Sequence, residues 1–281
     1  MREWVMLDTS SVRLYIDNDE RGSAFSRLVD LLPRFAFTFG ATAFFEVLSD
    51  IIGGDVSWGA WLRARAVLNE LVEPELPALP EASQELYSVL RKPPPGSDIA
   101  PHRYRAITQS LWRHAVTARS YRLFMRALTG AHSITGIQGR VRLVSEIRLA
   151  RDHLGGPLLR AVADAYARAD KSQRPPTTAE FVRGIHEANL QTMAPEDAEA
   201  CRAFSHVLGW HCANSVREQG RFSSKLAPNR ASDLLQLKGL SLAYLVSDDI
   251  KLRRALDESQ CDLANRCMTL NAFVEAKLAP A

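Results

Sequence analysis

The sequence Trp4-Val5-Met6-Leu7-Asp8-Thr9-Ser10, at the start of the chain, decides which fold class we expect. Its apolar run is typical of a short buried strand, and an acid and two hydroxyl residues follow that run directly. A second strand is predicted over residues 35–39, which are aromatic and alternate in character. A helix is predicted from Thr42, and Gly53-Gly54 should end it.

The other end of the chain has the same character. A strand is predicted over residues 242–246, followed by a helix with Leu252 and Leu256 on one face. Residues 264–270 are expected to form a last strand, with Asn271 capping a terminal helix. Strands that alternate with helices predict an α/β fold with a parallel sheet.

The middle of the chain shows no convincing strand between residues 58 and 221. Proline and glycine residues separate a series of predicted helices there. We therefore predict three parts: a core formed by residues 1–57 and 222–281, and a helical insertion over residues 58–221. The predicted helices within the insertion are 58–73, 81–91, 102–128, 140–153, 157–170, 178–192 and 195–219.

The composition excludes several classes of protein. With 46% apolar and 24% charged residues among 281, the chain has the composition of a globular protein rather than a disordered, collagenous or coiled-coil one. The net charge of +3 is too small to indicate a nucleic-acid or membrane partner by itself. Four cysteines without a Cys-x-x-Cys pair favour a reducing compartment with buried free thiols. No apolar run has the length of a membrane helix, so we expect a cytoplasmic protein without membrane contact.

Four acids stand at informative places: Asp8, Glu46, Asp233 and Asp249. Asp8 ends the first predicted strand, and Asp249 follows the predicted strand 242–246 by a few residues. Ligands of open parallel sheets bind outside the carboxyl ends of the strands, where both of these acids should lie. Clustered carboxylates repel one another unless a cation is present, and Mg²⁺ prefers oxygen ligands. The acids therefore point to Mg²⁺ or Mn²⁺ and to phosphoryl chemistry.

Four short stretches carry these acids. They are Val5-Met6-Leu7-Asp8-Thr9-Ser10, then Phe45-Glu46-Val47-Leu48 after Phe37-Thr38-Phe39, then Asp233-Leu234-Leu235, and last Leu245-Val246-Ser247-Asp248-Asp249 followed by Lys251-Leu252. In this order they resemble the PIN-domain nucleases, a family related to the flap-type 5′-nucleases. The resemblance covers the first quarter and the last fifth of the chain. Glu46 and Asp233 are 187 residues apart (233 − 46), more than a compact PIN domain would need, and the helical insertion fills this interval.

The resemblance implies a three-layer core with a central, mostly parallel sheet, interrupted by the insertion. It implies metal-dependent cleavage of RNA that leaves a 5′-phosphate and a 3′-hydroxyl, as in a toxin, defence or processing nuclease. Asp8, Glu46, Asp233 and Asp249 would hold one or two Mg²⁺ or Mn²⁺ ions, with Asp248 as an additional ligand. The hydroxyls of Thr9, Ser10 and Ser247 would orient the acids. The expected partners are RNA, a small protein inhibitor of the antitoxin kind, and a second copy of the chain.

Each acid also has an ordinary structural interpretation. Asp8 and Asp233 are plausible helix caps, and Asp248 with Asp249 forms a plausible cap pair at a helix N-terminus. Glu46 is also compatible with a position on the protein surface, although its apolar neighbours in the sequence favour partial burial. The alternative function is therefore a non-catalytic RNA- or protein-binding module built on an inert PIN-like scaffold.

A basic stretch lies within the predicted insertion. Residues 99–145 contain no Asp or Glu, and aromatic residues stand between their arginines. Arginine contacts phosphates and aromatic rings stack on unpaired bases, so this stretch is a candidate RNA contact. A solvated arginine face over an aromatic core, or an acidic protein partner, explains the same pattern. The candidate RNA-binding residues are Arg103, Arg105, Arg113, Arg119, Arg122 and Arg126, of which the last three have helical one-face spacing, and Arg140 and Arg142 lie in the same stretch.

Overall fold

The computed structural model describes residues 2–17, 22–79, 103–130, 183–184, 187, 191, 195–219 and 234–279. Its strands are β1 (Glu3–Leu7), β2 (Phe35–Phe39), β3 (Ala243–Val246) and β4 (Cys267–Met268). Its helices are α1 (Thr9–Asp17), α2 (Gly22–Arg27), α3 (Ala41–Gly53), α4 (Trp58–Leu71), α5 (Arg103–Thr117), α6 (Tyr121–Gly130), α7 (Pro195–Ala200), α8 (Arg202–Gln219), α9 (Ile250–Glu258) and α10 (Leu270–Leu278). The predicted helices 81–91, 140–153 and 157–170 lie outside the described residues.

The strands form one parallel sheet in the order β2-β1-β3-β4. β1 lies at its centre, with Leu7 opposite Phe39 of β2 on one side and Val246 of β3 on the other. This arrangement confirms the predicted α/β class and the parallel sheet. Because the strands are parallel, the ends of β1, β2 and β3 meet at one edge.

Side chains of the sheet alternate between two apolar clusters, one on each face. Val5 and Leu7 belong to one cluster with residues of α1, α3, α4 and α10, whereas Trp4 and Met6 belong to the other with residues of α8 and α9. Helices therefore cover both faces of the sheet, as the three-layer expectation requires. Burial of a large apolar side chain stabilises a fold by about 1.5–3 kcal/mol, and all three phenylalanines of β2 are fully buried.

The chain after α4 continues along the sheet. Val72 and Ala78 form parallel bridges with Phe37 and Phe39, so residues 72–78 run beside β2 on its outer side. α4 itself packs against α1 in the same core. These residues follow the predicted boundary at 57/58, and the division of the chain into core and insertion stays a prediction.

Two of the predicted helices are in fact pairs of shorter helices. The expected helix 102–128 is broken at residues 118–120, where Arg65 donates a hydrogen bond to the Ala118 carbonyl and Ser120 caps α6. The expected helix 195–219 is broken at Cys201. The Ser241 hydroxyl donates a hydrogen bond to the Glu199 carbonyl, and the Gly239 amide donates one to the Ala200 carbonyl. Contacts from distant segments replace the intrahelical bonds in both cases.

The C-terminal prediction also needs correction. The expected strand 264–270 consists of a 3₁₀ turn (Ala264–Arg266) and the two-residue β4. Thr269, rather than Asn271, caps α10, since its hydroxyl accepts a hydrogen bond from the Ala272 amide at 3.1 Å. The strand β4 is short because α10 begins at Leu270, two residues after the strand ends.

None of the helices in the described part of the chain has both the length and the apolarity needed to cross a bilayer. Cys201, Cys261 and Cys267 are buried free thiols, as the cysteine content predicts.

Candidate functional site

The candidate site lies where β1 and β3 end side by side. Asp8 and Ser247 follow the paired residues Leu7 and Val246. From this point the chain enters α1 over one face of the sheet and α9 over the other. Such a switch point leaves a crevice at the carboxyl ends of the strands, which is the usual binding site of an open α/β sheet.

Asp8 is a buried carboxylate held by two hydroxyl groups. Only 3% of the residue is exposed. Its Oδ2 accepts hydrogen bonds from Ser10 Oγ and Ser247 Oγ, both at 2.6 Å. Within the part of the chain that the structure describes, no ion pair involves Asp8. Among the described residues, hydroxyl dipoles rather than a cationic side chain compensate this acid.

The two hydroxyls are in turn bound by the backbone after β3. The Asp248 amide donates to Ser10 Oγ at 3.0 Å, and the Asp249 amide donates to Ser247 Oγ at 3.2 Å. A hydroxyl that accepts a hydrogen bond becomes a stronger donor, so these amides polarise both hydroxyls toward Asp8. The network fixes the turn after β3 against the turn after β1.

The pKa of Asp8 is raised above its ordinary value. Burial is the largest cause, and the negative charge of Glu46 acts in the same direction, while the hydrogen bonds from Ser10 and Ser247 lower the pKa. A buried acid beside a second acid is a place where a bound cation would be strongly favoured.

Glu46 lies in the second turn of α3 and is half-buried. Thr9, the first residue of α1, donates a hydrogen bond from Oγ1 to Glu46 Oε2 at 2.7 Å. Since Thr9 follows Asp8 in the chain, this contact brings α3 to the end of β1. Asp8 and Glu46 are therefore brought together, with the predicted orienting residues Thr9, Ser10 and Ser247 in contact with them.

Asp249 and Asp248 have other contacts. Asp249 Oδ1 accepts hydrogen bonds from the Lys251 amide at 2.7 Å and the Leu252 amide at 3.1 Å, so it caps α9 as its structural interpretation proposed. Both bonds use Oδ1 and leave Oδ2 outside the cap. Asp248 Oδ2 accepts a hydrogen bond from Ser11 Oγ at 2.8 Å. Neither of these contacts involves an atom of Asp8.

Asp233 lies outside the described residues. Three positions later, Gln236 is buried at 6% exposure, and its Oε1 has no hydrogen-bond partner in the described structure. Its Cγ lies 4.0 Å from the place of a Cβ on Gly40, the residue that follows β2. The segment that follows Asp233 therefore reaches the same edge of the sheet as Asp8.

The donors that the site offers suit a hard divalent cation. Asp8 and Glu46 are oxygen donors, and Mg²⁺ is commonly held by one or two carboxylates while it keeps several waters. No group of three or more His, Cys, Asp or Glu side chains that could hold a metal is found among the described residues. Among the described acids of the predicted set, Asp8 and Glu46 are brought together.

Three polar residues around this site were not predicted from the sequence. Ser11 contacts Asp248, and Arg13 forms an ion pair with Asp50. Arg13 is four residues after Thr9, and Asp50 is four residues after Glu46, which is the spacing of residues on one helix face. This spacing becomes informative only once the two helices are known to pack together.

The basic stretch divides into core and surface. Trp112 and Phe124 are buried, as the core interpretation of the aromatics proposed. Arg105 is engaged with Glu75 at 2.8 Å. Arg119 lies in the break between α5 and α6, so the predicted single helical face of Arg119, Arg122 and Arg126 does not form. The candidate arginines on the surface are Arg113, Arg119, Arg122 and Arg126, whereas the side chain of Arg103 and all of Arg140 and Arg142 lie outside the described residues.

No family model, curated protein or solved structure gives a significant match to this chain.

Proposed function

We propose that this chain is a PIN-type endoribonuclease that depends on Mg²⁺ or Mn²⁺. The observation that carries the proposal is the buried Asp8 carboxylate beside Glu46 at the switch point of a parallel sheet. The hydroxyls of Ser10 and Ser247 hold Asp8 without neutralising it, which keeps the carboxylate available to a cation. The position of Gln236 beside Gly40 supports Asp233 as a further acid of the same edge.

In this mechanism, Asp8 and Glu46 would hold the ion and the protein would supply its orientation. The chemistry that Mg²⁺ or Mn²⁺ would supply there is Lewis-acid activation of a phosphate oxygen and of the attacking water. Thr9 keeps the Glu46 carboxylate at the end of β1, and the turn formed by residues 247–249 keeps Asp8 fixed. Fixed ligands reduce the reorganisation that accompanies the transition state.

The test is cleavage of single-stranded RNA in the presence of Mn²⁺. Asp8→Asn preserves the acceptor for both serine hydroxyls but removes the charge, and we expect activity to fall by more than about 100-fold, beyond the usual effect of losing an orienting contact. Asp249→Asn tests whether this acid contributes beyond its cap. Asp30→Asn, at an exposed acid in the 3₁₀ turn before β2, is the matched control and should leave activity unchanged. Equal activity of wild type and Asp8→Asn would refute the proposal.

A second candidate function is a non-catalytic RNA-binding module. The exposed Arg113, Arg119 and Arg122 favour it, because none of them forms an ion pair within the described residues. Such a module would bind RNA equally well in the presence of a chelator and after Asp8→Asn. The cleavage assay separates the two functions, because the module predicts binding without product.

A further inference from the structure

Two side-chain contacts join α1 to α3, one helical turn apart. Thr9 Oγ1 donates to Glu46 Oε2 at 2.7 Å. Arg13 contacts Asp50 twice, from Nε to Oδ2 at 2.6 Å and from its terminal nitrogen to Oδ1 at 2.5 Å. Thr9 to Arg13 and Glu46 to Asp50 are each four residues, which corresponds to about 6 Å along a helix. The two helices are thus joined at two successive levels.

The Asp50 carboxylate stands where an acid is unfavourable. Its side chain is only 9% exposed, and it lies in the last part of α3, near the negative end of the helix dipole. Glu46 and Asp55 are close enough for their charges to act on it. Arg13 is the ion-pair partner of this acid, and its own side chain is 48% exposed. The stability of α3 therefore does not explain why a buried acid stands at this position.

The geometry of the Arg13–Asp50 pair supplies such a reason. The hydrogen bond from Thr9 is a one-point contact to one oxygen of the Glu46 carboxylate. A two-point contact between a planar guanidinium and a carboxylate, in contrast, fixes both direction and distance. A shift of one residue along α3 would rotate Glu46 by about 100°, because a helix has 3.6 residues per turn. The pair opposes that shift, in addition to the buried packing of Phe44, Val47 and Leu48 of the same helix.

We propose that Arg13 and Asp50 form a positioning pair that sets the register of α3 against α1 and so keeps the Glu46 carboxylate directed toward Asp8. The pair acts through Glu46 and touches neither the ion nor the substrate. This inference rests on the proposed function, since it assigns the pair a role in metal affinity. It also explains why the ion pair lies one turn beyond the candidate ligand rather than elsewhere on α3.

The experiment measures Mn²⁺ affinity by titration calorimetry on the full chain, together with the stability of the metal-free protein by urea unfolding in EDTA. Arg13→Lys keeps the charge and loses the two-point contact, and we expect Mn²⁺ to bind about 10-fold more weakly with little loss of metal-free stability. Arg2→Lys is the matched control. Arg2 forms an ion pair with Glu73 at 3.1 Å near the other end of β1, and its substitution should leave Mn²⁺ affinity unchanged.

A second variant separates positioning from stability. Arg13→Met combined with Asp50→Leu removes both charges, and no charge is then left buried without its partner. We expect this double variant to remain folded and to bind Mn²⁺ at least about 10-fold more weakly than wild type. Its KM for RNA at saturating Mn²⁺ should equal that of wild type, because Arg13 does not contact the substrate.

Three outcomes would overturn the inference. The first is wild-type Mn²⁺ affinity in both variants. The second is a loss of affinity that only follows the loss of folded protein. The third is a raised KM for RNA with unchanged Mn²⁺ affinity, which would make Arg13 a substrate contact. Failure of the proposed function is distinct, because the wild-type protein itself would then bind no Mn²⁺, and the inference would fall with it.

Discussion

Asp8 and Asp249 show how two similar acids acquire different roles at the level of single residues. Each follows a strand of the same sheet, and each is followed by a helix. Asp249 turns Oδ1 back to the amides of its own helix, whereas Asp8 receives hydroxyls from Ser10 and Ser247. The difference arises from the segment that lies beside Asp8 in the fold. Ser247 follows the adjacent strand β3 and donates a hydrogen bond to Asp8.

His206 allows a prediction about pH at the same scale. Burial lowers its pKa below the ordinary value of 6.5, and this effect exceeds the opposing backbone hydrogen bond with Ser259 and the charge of Asp262. Below pH 6.5 the unfolded chain therefore binds a proton that the folded chain resists. The contribution of His206 to stability is complete above pH 6.5 and is lost as the pH falls below it.

We expect the unfolding free energy of wild type to fall more steeply between pH 7.5 and pH 5 than that of His206→Gln, which does not titrate. Urea unfolding of both proteins at a series of pH values measures this, and the other titrating groups cancel in the difference. A His206→Gln protein with the same or a steeper loss would contradict the assignment.

At the level of elements, the end of α3 is determined by two adjacent glycines with different conformations. Gly53 is the last helical residue, and Gly54 caps the helix with φ of +86°. Only the second position requires the left-handed region that glycine adopts without strain. The pattern Gly-Gly predicted that the helix ends here, and the structure assigns the separate roles.

These roles predict opposite effects of the same substitution. Gly54→Ala should lower the unfolding free energy by about 1 kcal/mol, because alanine is strained at positive φ. Gly53→Ala should raise it by about 0.5–1 kcal/mol, because a Cβ there meets only Asp55 Oδ2 at 3.5 Å, an ordinary contact. Urea unfolding of the two single variants provides the test, and effects of equal sign would show that the helix ends elsewhere.

At the scale of the whole molecule, charge is distributed unevenly. The chain has 35 basic and 32 acidic residues, yet residues 99–145 contain no acid. Arg113 and Arg122, within this stretch, are exposed on α5 and α6. A surface of this kind attracts polyanions even though the net charge of the protein is small.

Salt dependence tests whether this surface binds RNA. Replacement of Arg113 and Arg122 by Gln should reduce the slope of log K against log salt by about 1.4, since each contact with a single-stranded phosphate contributes about 0.7. The control replaces the exposed Arg27 and Arg34 by Gln, which removes the same charge outside the stretch. Binding is measured in EDTA to prevent cleavage. Equal slopes for the two double variants would leave only net charge as the cause.

The sequence by itself determined the main strands and the fold class. Apolar runs predicted β1 and β3, and the aromatic alternation of residues 35–39 predicted β2, each within one residue of the observed bounds. It also determined the order of the acids and the places of Asp8 and Asp249 after β1 and β3. These features depend on neighbouring residues and on the periodicity of each element.

Only the tertiary structure decided which of these acids meet. Three contacts join residues at least 37 positions apart in the chain. They are the contacts of Thr9 with Glu46, of Arg13 with Asp50, and of Ser247 with Asp8. The helix breaks at residues 118–120 and 201 have the same origin. Distant groups donate hydrogen bonds to backbone carbonyls that would accept intrahelical hydrogen bonds in a continuous helix. Local sequence patterns do not indicate which distant segment supplies a hydrogen-bond donor, because this depends on how the helices pack onto the sheet.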